Sequence, residues 1–143
     1  MRSKIDPETG ITWYKDGNTP KYNDITNVYL YFGQKNDSPP FLRFRIRYCD
    51  TQWLQIMSYI VMADKQRFIQ PVVTFKQIRG TTSPQELYDE PVTKELYPII
   101  QKIVSSRKTV IRLHGLKGTG DIMLTDKQKQ SMKNVLRAYH QMQ

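Results

Sequence analysis

The residues of this sequence best suited to chemistry are three arginines spaced two apart. Arg43, Arg45 and Arg47 alternate with apolar residues, and two aromatic residues, Trp53 and Tyr59, follow a short way along the chain. Guanidinium groups hold phosphates and stack on aromatic rings, and exposed rings stack on nucleobases. If these five side chains share one face, they form a surface that binds anions. The alternative is that they simply cover an exposed sheet face, or that a helix lies over them.

Three further cations are spaced four residues apart near the end of the chain. Lys129, Lys133 and Arg137 line one flank of a predicted helix, because residues four apart lie on the same side of a helix. The whole chain has 22 Lys and Arg against 13 Asp and Glu, a net charge of +9. Such an excess favours a polyanionic partner: nucleic acid, an anionic membrane surface or an acidic polysaccharide. These three cations and the five residues above are the predicted polyanion-binding residues.

The residues that usually carry catalysis are few and dispersed. His114 ends a predicted strand and His140 lies in the last turn of a predicted helix, and neither is near a predicted nucleophile. Cys49 is the single cysteine, which excludes an internal disulfide, and no cysteine and histidine cluster has the spacing of a zinc site. The sequence therefore predicts a protein that is not an enzyme and that holds no cofactor or metal.

Two polar segments share some features with ligand-binding loops. Glu86, Asp89 and Glu90 lack the spacing of a calcium loop, so residues 79–91 are predicted to be a long surface loop with a solvated acidic cluster. Residues 115–120 are rich in glycine and follow a predicted strand, but they contain neither a Walker motif nor the glycine order of a dinucleotide site. We expect them to be a plain connection.

Residues 41–62 are the predicted centre of the fold. Alternation of apolar residues with arginines is typical of a strand with one buried face, and residues 53–61 are predicted to return antiparallel to it. A three-residue loop at 49–51 places the arginines outside, whereas a two-residue loop would set them beside core residues at a high desolvation cost. The second arm then directs Leu54, Ile56, Ser58 and Ile60 to the core, and Trp53, Gln55, Met57 and Tyr59 to the arginine side.

Shorter patterns predict the other elements of one domain, residues 1–143. Strands are expected at 11–15, which would be an edge strand, and at 27–32, 67–78 and 108–114, with Pro71 marking an edge or a bulge. Helices are expected at 96–104, near Pro98, and at 125–141, where Thr125 and Gln128 match a capping box. The predicted fold class is α+β: an antiparallel, sandwich-like sheet of about six strands with two helices, the last one C-terminal.

Four stretches of the sequence resemble a loosely defined group of bacterial envelope domains that often follow a signal peptide or lipoprotein signal. The similar residues are 29–33, 41–48, 53–56 with 64–65, and 110–115 leading into 124–128 and 135–139. The resemblance implies a β-rich domain with a C-terminal helix and an extracytoplasmic origin. The group has no assigned activity. The resemblance therefore assigns no functional residue, and Cys49 stands where the group more often has a polar loop residue.

The leading hypothesis is a non-catalytic, secreted or cell-envelope binding or structural module of bacterial origin. Its partner would be an anionic polymer or another envelope protein, and its signal sequence is expected to have been removed. No apolar run is long enough to span a membrane, and a cytoplasmic location stays open. The alternative is a basic nucleic-acid-binding domain that uses the arginine and aromatic face. Exposed strand edges near Ile11 and Pro71 would also allow a homodimer.

Overall fold

The alternating segment around the three arginines forms a strand with one buried face, as its pattern predicts. The structure is a computed structural model that describes residues 1–21, 24–79 and 82–143. In it, Leu42, Phe44 and Ile46 are at most 5% exposed, and the arginines between them lie on the other side of the strand. The apolar side therefore builds the core, and the guanidinium side belongs to the outer face of a sheet.

The described residues form ten strands and two helices. The strands are β1 (Arg2–Ile5), β2 (Ile11–Lys15), β3 (Asn27–Lys35), β4 (Phe41–Cys49), β5 (Ile56–Ala63), β6 (Gln66–Gln70), β7 (Lys76–Ile78), β8 (Gln85–Pro91), β9 (Thr109–Gly115) and β10 (Gly118–Met123). The helices are α1 (Tyr97–Ser105) and α2 (Asp126–Met142).

The strands make two antiparallel sheets that enclose the core. One sheet has six strands in the order β1-β2-β3-β4-β8-β7, and the other has four in the order β10-β9-β5-β6. Their inner faces meet where Tyr59 of β5 and Tyr88 of β8 pack edge to face, with ring centroids 5.3 Å apart. α2 packs against β3 and α1 against β5, so both helices contribute to the same core. The predicted α+β class, with antiparallel strands and two helices of which the last is C-terminal, is confirmed.

Both helices lie where the sequence places them. α2 starts with the predicted capping box: the Thr125 hydroxyl accepts a hydrogen bond from the Gln128 N–H at 3.1 Å, and the Gln128 side chain accepts one from the Thr125 N–H at 2.8 Å. In α1, Pro98 lies in the first turn, where an N–H would have no partner within the helix. A local signal therefore marks the start of each helix, a capping box in α2 and a proline in the first turn of α1.

Removal of the α2 cap is expected to lower the free energy of unfolding by about 1 kcal/mol. Thr125→Ala leaves the Gln128 N–H without its acceptor, whereas Thr125→Ser retains a hydroxyl group at the same place. Urea unfolding of the wild type and the two variants measures the difference. An alanine variant as stable as the serine variant would show that the cap contributes nothing.

The predicted hairpin at residues 41–62 is wrong. β4 pairs with β3 and β8, whereas β5 pairs with β6 and β9, so the two segments lie in different sheets. Residues 50–55 carry the chain across, with Gln55 in the left-handed region at a φ of 56°. The alternation of a strand identifies its buried face, but it does not identify the strands that pair with it.

The predicted surface loop at residues 79–91 is also wrong, because it contains the strand β8, which pairs with β4 on one side and β7 on the other. Asp89 lies directly opposite Arg45 of β4 in the ladder. Glu86 is 2% exposed, and its carboxylate accepts hydrogen bonds from the backbone N–H groups of Leu54 at 2.9 Å and Ile56 at 2.8 Å. The acidic residues at positions 86 and 89 therefore pair within the fold, and the first of them holds the crossing between the two sheets.

Three smaller predictions also need correction. Residues 67–78 form two strands in different sheets, β6 and β7, with Pro71 between them. β2 is not an edge strand, because β1 pairs along its outer side. The glycine-rich segment is the β9–β10 hairpin, in which Gly118 has a φ of 148° and a Cβ added at Gly115 would collide with the carbonyl oxygen of Leu54. Its glycines serve strand packing and the turn.

Candidate functional site

The outer face of the six-stranded sheet carries two of the arginines beside two tyrosines and one aspartate. Arg45 of β4 lies between Tyr29 of β3 and Asp89 of β8 in the ladder, and Arg43 lies opposite Tyr31. We call these five residues the arginine face. They occupy alternate positions of their strands, so they share the side of the sheet that points away from the core.

Asp89 is the centre of this face. Its carboxylate accepts hydrogen bonds from Nε of Arg43 at 2.8 Å, from Nε of Arg45 at 2.8 Å and from the Tyr31 hydroxyl. Arg43 also donates to the backbone carbonyl of Asp89 at 2.9 Å, and Arg45 donates to the Tyr29 hydroxyl at 2.8 Å. Nε, Nη1 and Nη2 of Arg45 all have protein partners, since Nη2 lies 2.7 Å from Asp89. The two guanidinium groups are thus largely committed to the fold.

These contacts shift the pKa values of the groups involved. Burial would raise the pKa of Asp89, but the hydrogen bonds from Tyr31, Arg43 and Arg45 outweigh it and leave this pKa below its usual value. Burial and the hydrogen bond to Asp89 raise the pKa of Tyr31 to about 12. The carboxylate therefore stays ionised and the phenol stays protonated across the physiological range, and neither is poised for proton transfer.

A cleft of about 530 Å³ opens beside the arginine face. We call it the basic cleft; its lining residues are Arg2, Ser3, Lys4, Trp13, Lys15, Tyr31 and Arg45. Three of the four cations in that set come from β1 and β2. The sequence pattern predicted only the fourth, Arg45 of β4. The cleft combines cationic and aromatic walls, as sites for anionic ligands do.

Lys15 occupies an unusual position in the basic cleft. Its Nζ lies over the rings of Tyr29 and Tyr31, 5.7 and 5.5 Å from their centroids. Among the residues that the structure describes, this ammonium group has no hydrogen-bond or ion-pair partner. Burial, followed by the nearby charges of Arg45 and Arg2, lowers its pKa from the usual 10.5. The more distant Asp89 carboxylate opposes this shift but makes no ion pair with Lys15. Lys15 is thus a partly buried cation without a directly bound counter-ion in the described part of the chain.

Trp13 forms the aromatic wall of the basic cleft. Its ring lies over Gly33 of the neighbouring strand, and a Cβ added there would come within 2.8 Å of the indole. The ring also contacts Tyr31 and Phe41, each with a centroid separation of 5.5 Å. A glycine at position 33 therefore leaves room for the indole to approach the backbone of the sheet beside the cleft.

Arg47 does not belong to an accessible surface. It is 6% exposed and donates from Nη1 to the side-chain oxygen of Gln85 at 2.7 Å, while its Nε has no partner in the described part of the chain. Burial and the charge of Arg45 lower its pKa. The prediction that all three arginines are exposed is therefore wrong at this position, where Arg47 lies between Asn27 of β3 and Leu87 of β8 in the ladder.

The aromatic residues predicted to accompany the arginines lie elsewhere. Tyr59 is fully buried, because a bulge between Ile56 and Ser58 shifts the register of β5 and turns this ring into the core. Its hydroxyl donates to that of Tyr88 at 3.3 Å. Trp53 is half-buried in the crossing segment, with the guanidinium of Arg79 5.4 Å from its ring centroid. Trp13 takes the place that these two residues were expected to occupy.

The cationic flank of α2 is also separate from the arginine face. Lys129 is 5% exposed and donates to the carbonyl oxygens of Ser106 at 3.2 Å and Arg107 at 2.7 Å, beyond the end of α1. It is a structural cap, and its prediction as a surface cation is wrong. Lys133 and Arg137 are exposed. They lie on the opposite side of the six-stranded sheet from the arginine face, because α2 packs on the inner side of β3.

Sequence reasoning missed seven charged or aromatic residues of the site: Arg2, Lys4, Trp13, Lys15, Tyr29, Tyr31 and Asp89. The two tyrosines alternate with Val28, Leu30 and Phe32, so an outer face was detectable from their hydroxyl groups. Asp89 was missed because its segment is rich in acidic residues and was therefore predicted to be a loop, whereas it forms β8. Nothing in the local sequence distinguishes Lys15 from the other lysines, since strand pairing brings it to the arginines.

The residues considered for catalysis lie on three different elements, Cys49 on β4, His114 on β9 and His140 on α2, and Nε2 of His114 is buried without a hydrogen-bond partner among the described residues. Nε2 of His140 lies 2.7 Å from the Tyr97 hydroxyl, and Nδ1 lies 2.9 Å from Gln143. His114 stands between Ser58 and Thr119 in the cross-strand register, and burial raises the pKa of the half-buried Cys49 thiol. Over residues 1–21, 24–79 and 82–143, no three His, Cys, Asp or Glu side chains are grouped so as to hold a metal ion.

Neither helix in the described ranges is both long and apolar enough to cross a membrane. Comparison with known proteins finds no matching family model, no matching curated protein and no matching solved structure. The geometry of the arginine face and the basic cleft is accordingly the basis for assigning a function.

Proposed function

We propose that this chain is a non-catalytic binding module that holds an anionic polymer on the outer face of its six-stranded sheet. The observation that carries the proposal is the charge distribution at that face. Five cations, Arg2, Lys4, Lys15, Arg43 and Arg45, surround the basic cleft and the arginine face, and the carboxylate within this network is Asp89. The resulting excess of positive charge attracts anions and raises their local concentration.

We further propose that the module acts in the bacterial cell envelope or after secretion. The support is the resemblance to envelope domains in residues 29–33, 41–48 and 110–115, together with a fold of two sheets and a C-terminal helix. An acidic polymer of the cell surface is a ligand of the required charge. Detection of the protein in a periplasmic, membrane or culture-medium fraction would agree with this location, whereas recovery from the cytosol alone would contradict it.

A nucleic-acid-binding role is the second candidate, and Trp13 is the observation that favours it. An aromatic ring beside several cations is the arrangement by which proteins hold single strands. The other rings of the face are less suitable, because Tyr29 and Tyr31 are only 5% and 6% exposed and lie beneath Lys15 and Arg45. A single partly exposed ring provides a stacking place for one base, not for a row of bases.

Binding to polyanions is expected to be strong at low salt and to weaken steeply as salt rises. Each cation that pairs with the polymer releases a counter-ion, so the logarithm of the affinity falls linearly with the logarithm of the salt concentration. Calorimetric titrations with a sulfated heparin oligosaccharide, inorganic polyphosphate and an oligothymidylate, from ~50 to ~200 mM salt, measure this slope. Absence of binding to all three ligands at the lowest salt concentration would refute the proposed function.

A further inference from the structure

We propose that the basic cleft is a discrete site for one oxyanion group of an acidic polysaccharide, in which Lys15 contacts the ligand and Trp13 borders the sugar ring. Arg43 and Arg45 are positioning residues that build the floor of the site. This inference rests on the proposed function, to which it adds a ligand class and a division of labour between the cations.

The separate roles of Lys15, which contacts the ligand, and of the two arginines, which position the site, follow from the hydrogen bonds that each cation already makes. Every nitrogen of the Arg45 guanidinium has a partner in Asp89 or Tyr29, and two of the three nitrogens of Arg43 bind Asp89. A new ligand would have to displace these contacts. Lys15 offers three N–H donors and has no such partner within the described residues. The Lys15 ammonium group is therefore a partly buried free donor of the cleft, and the arginines of β4 are positioning residues. Arg2 already donates from Nη2 to the carbonyl oxygens of Asp16 and Thr19, and Lys4, which also lines the cleft, is exposed to solvent.

Lys15 is surrounded by other cations and by aromatic rings, which favours binding of an anion beside it. Its Nζ lies over two tyrosine rings, between Arg45 on one side and Arg2 and Lys4 on the other, while Asp89 is bound by the two arginines of β4. Holding three or more positive charges around one partly enclosed space is unfavourable in the free protein. An oxyanion in the cleft would relieve this repulsion, so the same arrangement that costs stability favours binding.

The shape of the site favours a polysaccharide over a nucleic acid. The volume of about 530 Å³ lies within the range of ~300–1,000 Å³ that is typical of small-ligand pockets, so it accommodates one or two units of a polymer. The cleft presents one aromatic wall, Trp13, and the rings of Tyr29 and Tyr31 are covered. A sugar unit that carries a sulfate, phosphate or carboxylate group needs one wall and one free cation. A nucleic-acid strand would need a row of open rings.

Lys15→Met tests the role of the free cation, with Lys65→Met as the matched control. Lys65 is an exposed lysine in the turn between β5 and β6, so its removal changes the net charge equally at the other sheet. We expect Lys15→Met to weaken binding of a sulfated heparin hexasaccharide at ~50 mM salt by at least about tenfold, while Lys65→Met changes it less than about twofold. The thermal midpoint of free Lys15→Met should equal or exceed that of the wild type, because an unpaired cation is removed.

Trp13 fluorescence reports on the cleft itself. The Trp53→Phe variant leaves Trp13 as the single tryptophan, and we expect the hexasaccharide to change its emission. Inorganic tripolyphosphate, an oxyanion without a ring, should displace the sugar. In Trp13→Phe the ligand-dependent change should disappear. We expect Trp53→Phe itself to leave ligand binding unchanged, because Trp53 packs on Arg79 and does not line the cleft.

The possible results separate the two proposals. If the hexasaccharide binds Lys15→Met as tightly as the wild type and leaves Trp13 emission unchanged, the site in the cleft is refuted while the binding module stands. If an oligothymidylate of equal charge binds more tightly and quenches Trp13 more strongly, nucleic acid replaces the polysaccharide as ligand. If none of the three probes binds at ~50 mM salt, the proposed function fails and the cleft site with it.

Discussion

Asp89→Asn is expected to lower the free energy of unfolding by about 2–3 kcal/mol, because it removes the carboxylate that holds the arginine face together. The side chain of Asp89 is 16% exposed, and those of Arg43 and Arg45 are 25% and 20% exposed. Asparagine has the same shape but no charge, and its amide NH2 would face N–H or O–H donors from the arginines and Tyr31. Two partly buried guanidinium groups would then lack their counter-ion.

Glu90→Gln is the matched control for this prediction. Glu90 follows Asp89 in β8, is exposed and has no ion-pair partner among the described residues, so its neutralisation should change stability by less than about 0.5 kcal/mol. Chemical unfolding of the three proteins at neutral pH provides the comparison. Equal stability of Asp89→Asn and Glu90→Gln would show that the arginines do not depend on the carboxylate.

The contribution of Asp89 should also depend on pH. Because the native pKa of Asp89 lies below its usual value of 3.8, the unfolded chain binds more protons at this residue between the two pKa values. The carboxylate therefore stabilises the fold fully above 3.8, and this stabilisation is lost as the pH falls through the native pKa. The stability difference between wild type and Asp89→Asn should be constant near neutrality and should narrow below 3.8. A difference that widens on acidification would contradict the assignment.

Glu86→Gln is expected to lower the free energy of unfolding by about 2 kcal/mol through a different contact. The buried carboxylate of Glu86 accepts hydrogen bonds from the N–H groups of Leu54 and Ile56 with its two oxygens. Glutamine has one oxygen and one NH2 group, so one of the backbone donors would face another donor. These bonds hold the segment that joins the two sheets. We therefore expect this segment to open locally more often, in addition to the loss of global stability.

Amide hydrogen exchange locates this effect. In Glu86→Gln, exchange at Leu54 or Ile56 should accelerate more than exchange at Ile111 in β9, which lies in the core of the four-stranded sheet. Glu95→Gln, an exposed position just before α1, is the control for loss of one negative charge. Unchanged exchange at both Leu54 and Ile56 would show that the carboxylate does not hold the crossing segment.

The candidate site shows how far residue patterns reach in this chain. The alternation in β4 correctly separated Arg43 and Arg45 from the core, because a strand directs successive side chains to opposite faces. It was wrong about Tyr59, since one bulge in β5 reverses every later side chain. It could not identify Asp89 or Lys15 as neighbours of the arginines, because 44 residues separate Arg45 from Asp89 along the chain.

The sequence by itself determined the α+β class, the two helices with their starts, and the buried face of β4, because these depend on contacts within a few residues. The capping box of Thr125 and the spacing of Met132, Val135 and Leu136 are complete within one helix. Only the tertiary structure decided that β8 lies beside β4, that β5 belongs to the other sheet, and that Lys15 and Trp13 reach the arginine face. Strand pairing joins distant segments, and its partners depend on how all strands share one core.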